Sequence, residues 1–85
     1  MRVMRAKFVV RNINVNKDDQ GRTTSEQLYM NPVCKSTAYP ADGTDEDNTF
    51  ALWSPSGELT LTVTNPALFG KLAVGDKYYL DFTKA

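Results

Sequence analysis

The chain has 85 residues, ten basic and ten acidic, with no histidine and a single cysteine, Cys34. That length holds one domain, 1–85, which buries only about 60–65% of its extended-chain surface and leans on association when staples are missing. One cysteine excludes an internal disulfide, and the lack of histidine removes the usual zinc clusters and the near-neutral proton shuttle.

Taken in chain order, nearly every segment reads as strand. In "RVMRAKFVVRNINVN", residues 2–16, Met4, Ala6, Phe8 and Val10 alternate with Arg5 and Lys7, and the apolar phase then slips to Ile13 and Val15. A one-residue slip flips the buried face, so a β-bulge or bend is expected near Val10–Asn12. "KDDQG" follows as a tight turn, with Gly21 free to take a positive φ. The next strand, about Arg22–Met30, sets Leu28 and Met30 on one side and Tyr29 on the other. Pro32 cannot donate to a ladder, so Asn31–Pro32 ends this strand or moves its continuation, "VCKSTAY", to an edge.

"PADGTDEDN", Pro40–Asn48, is a loop by composition and is expected as a solvated charge run. "TFALW" returns to strand, "SPSG" forms a β-turn, and "GELTLTVTNP", Gly57–Pro66, is the second arm of the resulting hairpin. Within it Leu59, Leu61 and Val63 alternate with Thr60, Thr62 and Thr64, giving an apolar face and an uncharged, β-branched one. Asn65 caps a short helix with Pro66 at its first position. "KYYLDFT" closes the chain as a strand, with Tyr78, Leu80 and Phe82 inward. Phe8, Phe50, Phe69, Tyr78 and Phe82 are expected in the core. The sum is an all-β fold with one short helix: a small antiparallel barrel or sandwich of about five to six strands, OB-like or SH3-like.

Charge is unevenly spread. Residues 1–35 carry seven basic and three acidic side chains, net +4, and residues 36–85 carry three and seven, net −4. Opposite patches of this kind fit head-to-tail self-association, or two solvated faces. No apolar run nears the ~20 residues of a membrane span and no signal peptide opens the chain, so a soluble, non-secreted protein of a reducing cytoplasm is expected.

Catalytic constellations are absent from the pattern. Without histidine there is no Ser-His or Cys-His pair, and the acids sit in a loop that makes poor scaffolding, so no enzyme activity and no cofactor is expected. Cys34 reads as a small, semi-buried apolar residue. Asp45 and Asp47 alternate in the acidic loop as candidate ligands for a surface cation, but the EF-hand spacing is missing. Arg5, Lys7 and Arg11 on the outward side of the first strand, with Tyr29 as a stacking platform, form a candidate surface for single-stranded nucleic acid. The neutral net charge stands against it, and basic outward residues also guard edge strands. Trp53, before the turn, and the face of Thr60, Thr62 and Thr64 are the candidate partner-binding residues.

"EDNTFALWSPSGELTLTVTNP" followed by "VGDKYYLDFTKA" resembles the C-terminal half of a group of small uncharacterised tailed-bacteriophage proteins. The shared pattern is an acid-rich loop ending in Asn, an aromatic pair, Pro-Ser-Gly, an alternating strand, Asn-Pro and a closing Gly-x-x-Tyr-Tyr-x-Asp-Phe, over about residues 46–85. The resemblance implies a setting, the host cytoplasm or the virion, and no catalytic or binding residues. Three roles are then expected, in this order. The first is a non-enzymatic phage structural or interaction protein, oligomeric, binding itself or a virion component such as capsid or tail protein. The second is an OB-like single-stranded nucleic-acid-binding module. The third is a host-interaction, anti-defence factor that sequesters a small ligand or a partner.

Overall fold

The alternation over the first seventeen residues produces the longest strand, β1 (Arg2–Lys17). The computed structural model describes residues 2–85. After β1 come β2 (Thr23–Pro32), β3 (Leu59–Val63) and β4 (Lys77–Thr83), with a single 3-10 turn at Pro66–Leu68 between the last two. All pairings are antiparallel and the order across the sheet is β3-β2-β1-β4.

The β1–β2 hairpin is built by Asp18, whose carboxylate accepts the N–H groups of Gln20 and Arg22 at 2.9 and 3.0 Å. Gly21, at φ 77°, closes that turn. The bulge falls where the phase slip places it: Val10 faces Met30, Asn12 faces Tyr29, and Arg11 is the extra residue between them. By absorbing one residue it returns Ile13 and Val15 to the face of Val10.

One face of the sheet is therefore apolar. Met4, Ala6 and Phe8 lie in register with Phe82, Leu80 and Tyr78 of β4. Val10 and Ile13 lie in register with Met30 and Leu28 of β2, which in turn face Leu59 and Leu61 of β3. The buried centre is Ala6, Phe8, Val10 and Met30, with Ile13, Phe50, Leu59, Tyr78 and Leu80 packed against it.

Several expectations are corrected. Four strands form one open sheet, not about five to six in a closed barrel or sandwich, since among the described residues nothing pairs β3 with β4. "TFALW" is not a strand and makes no hairpin with β3, which pairs with β2. The backbone of Thr49 and Ala51 is engaged elsewhere: the Thr49 N–H bonds the Arg5 carbonyl and the Ala51 N–H the Asn48 carbonyl. "VCKSTAY" does not continue β2. Phe82, placed inward, lies on the apolar face but is 47% exposed. The Asn65 cap holds, its Oδ1 accepting the Ala67 N–H at 3.1 Å, though the helix it starts is only a 3-10 turn.

The molecule is elongated, 56 × 29 × 17 Å, with a radius of gyration of 15.6 Å. A compact chain of this length has a radius near 12 Å, by about 2.2·N^0.38. Its accessible surface is 6017 Å², against about 5,000 Å² for a folded monomer of this mass.

Candidate functional site

β2 stops at Pro32 opposite Phe8, so the flank of β1 at Arg5 and Lys7 has no strand beside it. Unpaired backbone groups there need partners. The segment Asp45–Thr49 supplies them, chiefly through Asn48, which is 1% exposed. Its Oδ1 accepts the Lys7 N–H at 2.9 Å, and its Nδ2 donates to the Val33 carbonyl at 2.9 Å and to Asp45 Oδ2 at 3.2 Å. Thr49 Oγ1 accepts the Arg5 N–H at 2.8 Å. The acidic loop is thus only partly a solvated run: Asp42 and Glu46 are exposed, whereas Asp45 and Asn48 are buried and the stretch from Asp45 to Thr49 stands in for a strand.

That role defines the two candidate cation ligands. Asp45 Oδ1 accepts the Asp47 N–H at 2.9 Å, and Asp47 pairs with Lys7 at 3.6 Å. Burial pushes the Asp45 carboxyl up. The Asp47 N–H, the Asn48 amide and the charge of Lys35 outweigh it and hold the group below its ordinary value. Among the described residues, no three Asp, Glu, Cys or His side chains converge as a metal site would require.

Trp53 is 51% exposed and stands at φ 61°, a left-handed conformation that costs a non-glycine residue. Its N–H bonds the Gly43 carbonyl at 2.7 Å, and Tyr39 meets its ring edge-on at 6.1 Å. The indole lies so close to Gly43 that a Cβ there would sit 2.6 Å from Cε2. Trp53 is therefore a staple of the loop that also presents a surface.

On the polar face of the sheet, Arg5 sits opposite Asp81 and Lys7 opposite Tyr79. Arg5 donates to both Asp81 oxygens, at 2.8 and 3.1 Å, and Arg2 adds a contact at 3.3 Å. The Arg5 guanidinium lies 4.5 Å and the Lys7 ammonium 5.7 Å from the Tyr79 ring centre. Part of the split between the basic and acidic halves is thereby spent inside the chain, because β4 returns to the N-terminal half of β1. Of the nucleic-acid candidates, Arg5 and Lys7 are brought together and ion-paired. Arg11 is exposed in the bulge, and Tyr29 lies further along the same face with its hydroxyl bonded to Gln27 at 3.0 Å.

Thr60 and Thr62 lie on that polar face, opposite Tyr29 and Gln27 of β2. They are exposed, as is Thr64 just beyond the strand. Behind them Leu61 is 48% exposed, so the leucine side of β3 meets much less core than its pattern promised. On the apolar face an open groove of about 180 Å³ runs past Met4, Ala6, Phe8, Phe50, Leu80 and Phe82.

Two features escaped sequence reasoning. Asn48 could have been found by asking what partners the β1 flank beyond Pro32. Glu26 is in phase with Leu28 and Met30, and that phase alone marks it as buried; its Oε2 accepts the Gly70 N–H at 3.1 Å and its Oε1 is buried with no partner among the described residues. Cys34, expected semi-buried, is exposed. No helix is long and apolar enough to cross a membrane among the described residues.

Comparison of the chain with protein-family models, with curated proteins and with solved structures finds no match in any of the three.

Proposed function

We propose that this chain is a non-enzymatic interaction module that works in assembled form, bound to its own copies or to a virion component such as capsid or tail protein of a tailed bacteriophage. The observation that carries this reading is the surplus surface: 6017 Å² are exposed, about 1,000 Å² more than a compact monomer of this mass leaves open. Much of what is open belongs to sheet: two free edges, and an apolar face on which Phe82 and Leu61 remain half exposed. In this reading the higher strand count suggested by the sequence belongs to the assembly. The mass in solution tests it by light scattering. A multiple of 9.5 kDa supports self-association, and a strict monomer at high concentration removes it.

Binding of single-stranded nucleic acid is a second reading, favoured by the exposed Tyr79 ring with Arg5 and Lys7 beside it. The carboxylates of Asp81 and Asp47 already occupy both cations, which weakens the attraction to a phosphate backbone. A salt titration with labelled single-stranded DNA decides it, since phosphate contacts require a steep loss of affinity with salt. A host-directed, sequestering role has an open cleft of about 350 Å³ in its favour, lined by Lys35, Asp45 and Glu46 together with Pro40, Ala51 and Leu52. A co-purifying ligand released on denaturation is its test.

A further inference from the structure

The two edges of this sheet are not alike. β4 carries Lys77 and Asp81, with Lys84 just beyond it, and such charges are how natural edge strands avoid pairing with other chains. β3 reads Leu59-Thr60-Leu61-Thr62-Val63, with no charge and no proline. Its register with β2 is unbroken from Glu26–Val63 to Met30–Leu59, so no bulge twists it away. Among the described residues it pairs with β2 alone. An unguarded edge of this kind is an aggregation hazard unless something covers it.

The strand is also a palindrome in chemistry: apolar, Thr, apolar, Thr, apolar about Leu61. A twofold interface requires this self-complementarity, because each residue must meet the mirror position of the same sequence. We infer that β3 is a homotypic pairing strand, docking antiparallel on β3 of a second copy about a twofold axis through Leu61. The result is one eight-stranded sheet. This inference rests on the self-association reading above and names the surface and the register.

In that register Leu61 faces the partner's Leu61, Leu59 faces the partner's Val63, and Thr60 faces the partner's Thr62. Apolar residues meet on one face and threonines on the other, and both kinds of cross-strand pair are favourable. A shift by one position would set leucine against threonine throughout, and a shift by two would leave only three residues of each β3 facing one another, so the Leu61 axis is the one that pairs the whole strand. Glu58 falls opposite the partner's Thr64, which keeps the two carboxylates apart. A strand from a different protein would place no such symmetry requirement on β3, which is why the occupant is a second copy. Pairing also removes both unguarded edges and leaves only the two charged β4 strands outside, so the assembly closes at two chains rather than growing into a fibre.

The test replaces Leu61 by cysteine in a Cys34→Ser background and adds a mild oxidant. Residues directly opposite in an antiparallel pair have Cα atoms about 4.5–5.5 Å apart, within the disulfide range of about 4.4–6.8 Å. A covalent dimer is expected for Leu61→Cys and none for the equally exposed Phe82→Cys on β4. In a second arm, Leu61→Lys and Leu61→Asp should each run as monomers, and mixing them should restore the dimer mass. Circular dichroism checks that the charged variants fold, and if they do not, the disulfide arm decides. A wild-type dimer with no Leu61→Cys cross-link overturns the pairing strand and leaves self-association standing. A monomeric wild type overturns both.

Discussion

The side-chain amide of Asn48 stands beside Lys7 where a neighbouring strand would stand, accepting its N–H at 2.9 Å while donating to the Val33 carbonyl at 2.9 Å. One side chain thus bridges β1 and the chain leaving β2. Asn48→Ala strands both backbone groups in a partly buried site and is expected to cost about 1–3 kcal/mol. Asn48→Asp keeps the acceptor, loses the donor and sets a second carboxylate where Nδ2 now lies 3.2 Å from Asp45. It should therefore be the less stable of the two at neutral pH and recover in acid. Urea midpoints at both pH values check the pair, and equal midpoints for wild type and Asn48→Ala would remove the strand-substitute role.

Gly43 and Trp53 form the second staple. Gly43 stands at φ 74° with the indole where a Cβ would go, whereas Gly70 stands at φ 76° with open space there. Both alanine substitutions incur the left-handed backbone cost of about 1–2 kcal/mol. Only Gly43→Ala must also displace Trp53. It is expected to be the more destabilising by urea melt and to red-shift the tryptophan emission, while Gly70→Ala leaves the emission unchanged.

Much of the sheet was legible because it follows from local pattern. β1, its bulge, the Asp18 turn, the end of β2 at Pro32, the Asn65 cap and the facing of β4 all rest on alternation, a phase slip or a turn residue. The segments misread as strand, Val33–Tyr39 and Thr49–Trp53, depend on long-range geometry instead, while Pro40–Asn48 is the loop that its composition indicates. "TFALW" alternates like a strand, but its backbone bonds to Arg5 and to Asn48 instead of to a hairpin partner. The acidic loop looked solvated because charge dominates its composition, and nothing local marks Asn48 as the residue that enters the sheet. The positions of the partner-binding candidates were unevenly legible for the same reason. Thr60 and Thr62 were placed by alternation, whereas Trp53 owes its position to Gly43, ten residues away.

Acid should weaken the β1–β4 pairing in a defined direction. Hydrogen bonds from Arg5 hold the Asp81 carboxyl below its ordinary value, desolvation opposes them, and the charges of Arg5 and Arg2 add to the lowering. A carboxylate whose folded value lies below its unfolded one, near 3.9, contributes fully above that value and loses the contribution as pH falls through the folded value. The stability difference between wild type and Asp81→Asn should thus be flat near neutrality and shrink below about pH 4. Added salt should narrow it as well, since the pair is solvent-accessible. A difference that grows on acidification would reverse the assignment.

Glu26 offers the opposite kind of test, because its burial satisfies it poorly. It is 6% exposed, lies in register with Val15 and Val63, and uses one oxygen for the Gly70 N–H while the other has no partner among the described residues. A buried polar atom left unmatched costs about 1–3 kcal/mol, and an apolar group of similar shape removes that cost. Gly70 is exposed, so water can take over its N–H. Glu26→Met is therefore expected to be neutral or stabilising by about 1 kcal/mol in urea melts. Amide exchange at Gly70 should accelerate at the same time, because the carboxylate ties the Pro66–Gly70 turn to β2. A loss of more than about 2 kcal/mol would mean that the Gly70 hydrogen bond outweighs the unmatched oxygen.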